Sequence, residues 1–436
     1  MKHKTGHFKL KKALGLWELS LYGIGIILGA GIYALLGIGA GIAGNAIWLS
    51  FIIAAILAAF TGLSYAEMSS MYPKEAAEYN YTKNAFRKPV LSFVIGWLMI
   101  IASIVAAVTV AFGFASYFTH IFGGSVTATA AVLVLILSAI NYIGIKESST
   151  FNIISTLIET SGLLIVVAVG LFFFSSYGMT IDPFEIPPGA GGTAFGSILA
   201  ATALIFFAYL GFEDIVNVSE ETKNARKIVP KALVIAIVVS TVLYILVSLS
   251  AVNIMGWERL SASKAPLTET VSSVIPNSDF IFSLIALFAT ANTSLILLIV
   301  GSRILYGMAS DKSMPRMFSV VGNRGTPYFA VAAVTIGAVA LSLVGNIKTV
   351  AMVTDMTLFI IYAAVNASLI ALRYKLPKAK RAFRTPLNIG KFPVLAFLGL
   401  VSSLLMLLYF DAAIAMLEAA AIGSGLVLYL IFRRKK

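Results

Sequence analysis

The chain has 436 residues, of which 59% are hydrophobic and only 12% charged, with a mean hydropathy of +0.95 and a formal net charge of +13. Soluble domains carry about 45–50% apolar residues, so this composition places the protein in a bilayer and excludes an ordinary water-soluble fold. The lack of cysteine removes disulfides, thiol nucleophiles and zinc–thiolate sites.

In chain order, MKHKTGHFKLKK at 1–12 followed by an apolar run has the outline of a signal peptide. That run is about twice the usual length of a signal hydrophobic region, so residues 1–13 are expected to form a cytoplasmic segment leading into an uncleaved first helix. Apolar runs near the 20-residue length of a spanning helix then recur at 14–43, 46–71, 90–119, 127–144, 151–177 and 197–218, and again at 231–254, 278–310, 328–345, 348–374, 392–409 and 412–432. The expectation is an all-α membrane protein with twelve transmembrane helices. The turn between the last two spans rests on Phe410 and Asp411 alone, and the segment 178–196, rich in proline and glycine, reads as a linker more than as an external lid.

The basic residues test that count independently. All but Arg259, Lys264 and Lys348 of the 32 Lys and Arg residues fall on the side of the membrane that holds the amino terminus. Cytoplasmic loops carry this excess, so both termini are expected in the cytoplasm of a multi-pass cell-membrane protein. The same asymmetry accounts for the net charge without nucleic acid, which a basic soluble protein would have suggested.

Two spans break the apolar pattern. The first contains ILGAGIYALLG at 27–37, with Gly29 and Gly31 at mid-helix, where glycine costs about 1 kcal/mol relative to alanine. Close packing of small residues is one explanation; local unwinding around a polar ligand is the other, since unpaired backbone groups at membrane depth must line a cavity or be buried in protein. The sixth span contains IFFAYLGFED at 205–214, with Gly211 in an aromatic run and Glu213 and Asp214 where a continuous helix would stay apolar. Spans one to five (14–177) and six to ten (197–374) are of similar length, and an odd number of crossings inverts the second unit relative to the first. Interruptions at equivalent positions of two inverted units point to a midplane binding site and favour unwinding over packing.

Four stretches carry a family resemblance: GIGIILGAGIY at 23–33, YPKEAAEYNYTKNAF at 72–86, FFAYLGFED with SEETKNARKIVPKAL at 206–233, and SRILYGMASDKSMP at 302–315. Together they resemble the amino acid, polyamine and organocation permeases, which implies the leucine-transporter type of five-plus-five inverted fold with two further carboxy-terminal helices, 392–432. The chain departs from that pattern at Ala76 and Ala77, where relatives usually have a glycine pair, and at Ala225, where they often have proline.

For a transported amino acid zwitterion the chemistry follows from backbone dipoles. The N–H groups around Gly29, Ala30, Gly31 and Ile32 point a partial positive end at the substrate carboxylate. Carbonyls freed around Phe207, Ala208 and Tyr209, next to Gly211, accept from its ammonium. The resemblance implies the same assignment, with Phe207 and Phe212 closing over the substrate; each of these aromatics has ordinary helix packing as its alternative role.

For coupling, Glu159 in the fifth span shares a helical face with Asn152, Ser155 and Gly162, so its carboxyl is expected to face the bundle. An ionisable group there is a functional candidate by default. In some relatives the matching position carries a lysine at a sodium-site location, so the charge sign here is reversed. The Glu159 carboxyl suits reversible protonation, or it ligates sodium, or it is a structural hydrogen-bonding group; Asn292 and Thr293 of the eighth span are its expected partners. Asp355 is a second candidate carrier, placed nearer a helix end and within reach of water.

Structural roles are expected for the remaining membrane carboxyls: Glu67 near a cytoplasmic helix end, Glu213 and Asp214 facing a water-filled vestibule, Glu418 in packing or a dimer contact. Arg303, Lys312 and Arg316 are expected to anchor the cytoplasmic end of the eighth span. An enzyme would need a nucleophile with a base or a metal cluster, but the histidines, His3, His7 and His120, all lie at span ends, and no Walker-type loop exists for ATP-driven pumping. The reading is therefore a secondary amino acid transporter coupled to protons and needing no cofactor or metal. A sodium-coupled symporter, an amino acid exchanger, or a passive channel or sensor on the same fold are the alternatives.

Overall fold

A computed structural model describes residues 14–74, 76–187, 193–263, 265–322, 324–343 and 347–433. The amino-terminal segment 1–13 and part of the 178–196 connection lie outside the described residues. Helix α1 (Leu16–Leu28) starts where the Glu18 carboxylate accepts the Gly15 N–H at 3.0 Å, an acidic group suited to a helix N-terminus. It stops at Gly29, whose φ of −55° and ψ of −142° leave the helical region, and α2 (Ala30–Ala43) resumes at once. A short 3-10 turn, Gly44–Ala46, then leads into α3 (Ile47–Met71).

Helix α4 (Ala77–Phe86) lies between α3 and α5 (Pro89–Phe122), and α5 opens with the proline that helix starts favour. Ala76 enters α4 with φ +50°. That left-handed conformation is costly for alanine, and glycine would adopt it freely. The chain continues through α6 (Val126–Ile143), capped by the Ser125 hydroxyl, α7 (Ile145–Tyr177), and α8 (Ala194–Ile205), capped by Thr193.

The helix ends at Ile205 and becomes a 3-10 turn, Phe206–Tyr209; after Gly211, at φ +111°, a second 3-10 segment runs over Asp214–Glu221. Then come α9 (Ala225–Ala262), which kinks at Gly256, α10 (Pro266–Ser272), α11 (Asp279–Ser310), α12 (Tyr328–Ser342) and α13 (Ile347–Lys375). A two-stranded hairpin, β1 (Asn388–Ile389) with β2 (Phe392–Pro393), precedes α14 (Val394–Met406) and α15 (Ala412–Arg433).

The architecture is all-α. Among the described residues, ten helical stretches are long and apolar enough to cross a bilayer, and Tyr328–Ser342 and Val394–Tyr409 are shorter apolar helices. Helices α1, α2, α3, α8 and α9 pack on one another, while α11 lies along α5, and α13 contacts α5, α4 and α14. Large apolar side chains such as Leu171, Phe172, Ile336, Leu408 and Met416 are exposed, as a lipid-facing surface requires.

The segment after α7 is more than a linker where it is described. Asn45 donates to the Asp182 carbonyl at 3.1 Å and to Glu185 Oε2 at 3.0 Å, the Trp48 indole donates to the Pro183 carbonyl at 2.9 Å, and Thr180 is held by Asn253. Gly44, at φ +66°, lies so close to the Glu185 carbonyl that a Cβ would overlap it. The turn between the first two spans is thus a dock for residues 180–185.

Candidate functional site

Two interruptions, at Gly29 and over Phe206–Gly211, meet inside the fold. A Cβ on Gly31 would overlap the Cα of Ala208, so the backbones of α2 and the 3-10 turn are in direct contact. Gly211 in turn lies against Ile26 of α1. Small-residue packing and helix interruption, opposed as alternatives on sequence grounds, coexist: the same glycines that let the backbone leave the helix let the two breaks approach.

At the break, Gly29 offers no side-chain cap to α2, whose first turn holds Ala30, Gly31 and Ile32. Helix α8 ends with its own backbone groups diverted: the Leu210 N–H reaches the Phe207 carbonyl at 3.3 Å, and the Tyr209 hydroxyl donates to the Phe51 carbonyl at 3.0 Å. Between the breaks stands a residue that sequence reasoning missed, Tyr244 of α9. Its hydroxyl contacts the Ile27 carbonyl and lies 2.7 Å from the Ala208 carbonyl. A phenol has one hydrogen to donate, so two carbonyls, one from each broken helix, share a single donor. The signal was a lone phenol in an apolar run, VVSTVLYILVS, which needs a polar partner when buried.

Of the two aromatics expected over the substrate, Phe212 is enclosed by rings, 5.9 Å from Tyr65 and 5.3 Å from Tyr362 between centroids, which is the packing role. Phe207 is buried as well.

The structure brings Glu159, Asn292 and Thr293 to the first break. Thr293 of α11 abuts Gly29 so closely that a Cβ there would overlap its hydroxyl, and Gly25 is packed in the same way against Thr156 beside Asn292. Asn292 accepts from Asn152 at 3.0 Å and donates to Thr156 at 3.4 Å. Glu159 is fully buried, with the Asn292 amide beside its carboxyl, and its backbone carbonyl accepts from Tyr33 at 3.3 Å.

Asp355 does not join this group. It is 0% exposed, not at a water-accessible helix end, and its charged neighbour is Glu213. Glu213 and Asp214 are likewise buried instead of facing an open vestibule, because the turn at 210–213 folds them inward against Met99, Ala102 and Leu297. Arg303 is no surface anchor either: it is 0% exposed and paired with Glu221 at 3.1 Å. Glu67 holds Arg373 at 2.6 Å, Arg381 at 2.8 Å and the Thr385 N–H at 2.8 Å. Glu418 accepts from Thr357 at 2.6 Å, a packing contact within the chain.

The arrangement joins backbone dipoles at two helix breaks, a phenol between them, and buried carboxyls close by, Glu159 near the first break and Glu213 on the Gly211 N–H of the second. A family model described as amino acid permease matches residues 14–431, and the chain belongs to that family of transporters, which are not enzymes. It is 29% identical to the branched-chain amino acid permease BcaP of Bacillus subtilis over 99% of this chain and 95% of the relative. It is 31% identical to a methylthioribose transporter of the same organism, over 86% and 84% of the two chains. A cationic amino acid transporter of Arabidopsis thaliana is 29% identical over 85% of this chain and 64% of its own length.

Proposed function

We propose that this amino acid transporter is a proton-coupled symporter working by alternating access, and that its substrate is a neutral amino acid. The observation that carries the reading is the meeting of two interrupted helices at Gly31 and Ala208, with Tyr244 shared between them. The start of α2 receives the substrate carboxylate, since helix N-termini favour anions. The Ile27 and Ala208 carbonyls receive its ammonium, taking the place of the Tyr244 hydroxyl. The branched-chain permease matches over nearly the whole chain; leucine, isoleucine and valine are therefore the first substrates to test.

Glu159 is the proposed coupling group, with Asn292 and Thr293 relaying its state to the first break. We further propose that α12 and α14 complete a set of twelve crossings, with 14–177 and 197–374 as inverted repeats and both termini in the cytoplasm. Uptake into proteoliposomes under separately imposed proton and sodium gradients is the test, using labelled leucine, arginine and methylthioribose. Leucine accumulation driven by an inward proton gradient alone is the expected result. Accumulation only with sodium, or exchange with no net uptake, overturns the coupling assignment.

A further inference from the structure

A second group of buried acids lies apart from Glu159 and has different neighbours. Glu213 and Asp214 follow the break in the sixth span, Asp355 is on α13, and Glu78 is on α4; all four are at most 2% exposed. Glu213 is within electrostatic reach of Asp214, Asp355 and Glu78, and Asp214 of Glu78. Phenols stand between them: Tyr362 of α13 beside Glu213, Asp214 and Asp355, and Tyr65 of α3 beside Glu78, Glu213, Tyr362 and Tyr81. The rings of Tyr65 and Tyr362 are 6.2 Å apart, and those of Tyr65 and Tyr81 are 6.0 Å apart.

The hydrogen-bonding capacity of this group is largely unspent. Among the described residues, both oxygens of Asp355, Asp214 Oδ1 and the Tyr81 hydroxyl make no direct hydrogen bond. Glu213 Oε2 accepts from the Gly211 N–H at 3.1 Å, Glu78 faces the Asn217 amide at 3.4 and 3.5 Å, and the Tyr65 and Tyr362 hydroxyls stand against Glu78 and Glu213. Among the described residues no ion pair reaches these acids, and the buried guanidiniums of Arg303, Arg373 and Arg381 are committed to Glu221 and Glu67. Several carboxylates so placed cannot all be ionised together: a buried charge without a partner neutralises instead.

We propose that Glu213, Asp214 and Asp355 form a proton store beside the broken sixth span, filled from the basic end of the molecule through Glu78, Tyr65 and Tyr362. The ligand is a hydron, and transfer needs no other reactant. Tyr65, beside both Glu78 and Glu213, accepts the Glu78 proton as it gives its own to Glu213, and Tyr362 does the same between Glu213 and Asp355, so each phenol ends as it began. Burial pushes the Glu78 carboxyl up to about 7 against the opposing bond from Asn217, so the entry group changes charge near neutral pH. The proposal deepens the symport reading and rests on it, and it gives the protein two separate places for protons.

The test is infrared difference spectroscopy between pH 5.5 and 8.5 on the full chain in lipid without substrate, for the wild type, E159Q, E213Q, D355N and Y362F. E213Q and D355N are expected each to lose a titrating carboxyl signal that E159Q retains, and Y362F to keep both. Spectra of E213Q and D355N that match the wild type overturn the store. So does a signal displaced when sodium chloride replaces choline chloride, which marks a sodium site. Counterflow of labelled leucine is run on the same samples: its absence in the wild type sinks the transport reading, while the infrared result still decides the store. A variant that misfolds loses counterflow and thermal stability together, and its conservative partner, D355E or E213D, then decides by restoring the signal or failing to.

Discussion

Gly31 faces the Cα of Ala208, a backbone atom that cannot rotate away, so Gly31→Ala must push the two interrupted spans apart. Overpacking of this kind costs about 1–3 kcal/mol; leucine binding by scintillation proximity should fall at least tenfold, whereas Gly423→Ala, which has open space around its Cα, should bind as the wild type does. Gly29→Leu should abolish binding altogether, because Thr293 already fills the space beside it. Tyr244→Phe leaves the Ile27 and Ala208 carbonyls without their shared donor, at about 1–3 kcal/mol for an unsatisfied buried group. The substrate-free protein should melt lower, and saturating leucine should raise its melting temperature by more than it does in the wild type. An equal leucine shift in both proteins would show that the ammonium does not use those carbonyls. The glycines were legible in sequence because they violate an apolar helix pattern. Tyr244 was not, because its partners are backbone carbonyls freed only when two distant helices break. Arg303 and Glu221, 82 residues apart, meet only through tertiary packing, which is why the arginine read as a surface anchor.

Helix α4 is tied to the 3-10 segment that follows the second break: the Ala77 N–H donates to Asn217 at 2.9 Å, and the Asn217 amide faces Glu78. Glu78 has its folded-state pKa raised to about 7 from 4.5, so between those values the folded protein holds a proton that the unfolded chain has released. Stability from this group is therefore present at low pH and lost as pH rises towards 7, by up to about 3 kcal/mol. Hydrogen exchange in α4, corrected for the intrinsic pH dependence, should speed up between pH 5.5 and 8, and E78Q should flatten that rise. The pair of Arg303 on α11 with Glu221 at the end of the sixth span obeys another rule. Removing one partner strands a buried charge at about 3–5 kcal/mol, so R303M should melt far below the wild type, and R303M with E221Q should recover much of the loss. The sequence reading had no helix at α4, because residues 77–86 lack an apolar run of spanning length. Asp355 looked water-accessible from its position near a span end, yet neighbouring helices bury it completely.

For the molecule as a whole, the native lack of cysteine is an experimental advantage. In the orientation proposed, a cysteine at exposed Thr127 should react with an impermeant maleimide on intact cells, and one at exposed Lys378 only after permeabilisation; the reverse pattern would invert the topology. The all-helical, multi-span character was legible from apolar run length; of the twelve expected spans, ten are long and apolar enough to cross a bilayer among the described residues, and two are shorter apolar helices. The depth of the site was less legible, because the chain crosses its own interior with polar groups whose partners lie spans away.

Two buried ionic clasps, Arg303 with Glu221 and Glu67 with Arg373 and Arg381, hold because water is kept from them. Attraction between unit charges weakens roughly fourfold as the effective dielectric rises from about 20 to about 80. Any movement that floods this end of the molecule therefore slackens both clasps at once, and bulk salt has little hold on them while they stay dry. Opening at that end should consequently be abrupt and insensitive to ionic strength until the moment it begins.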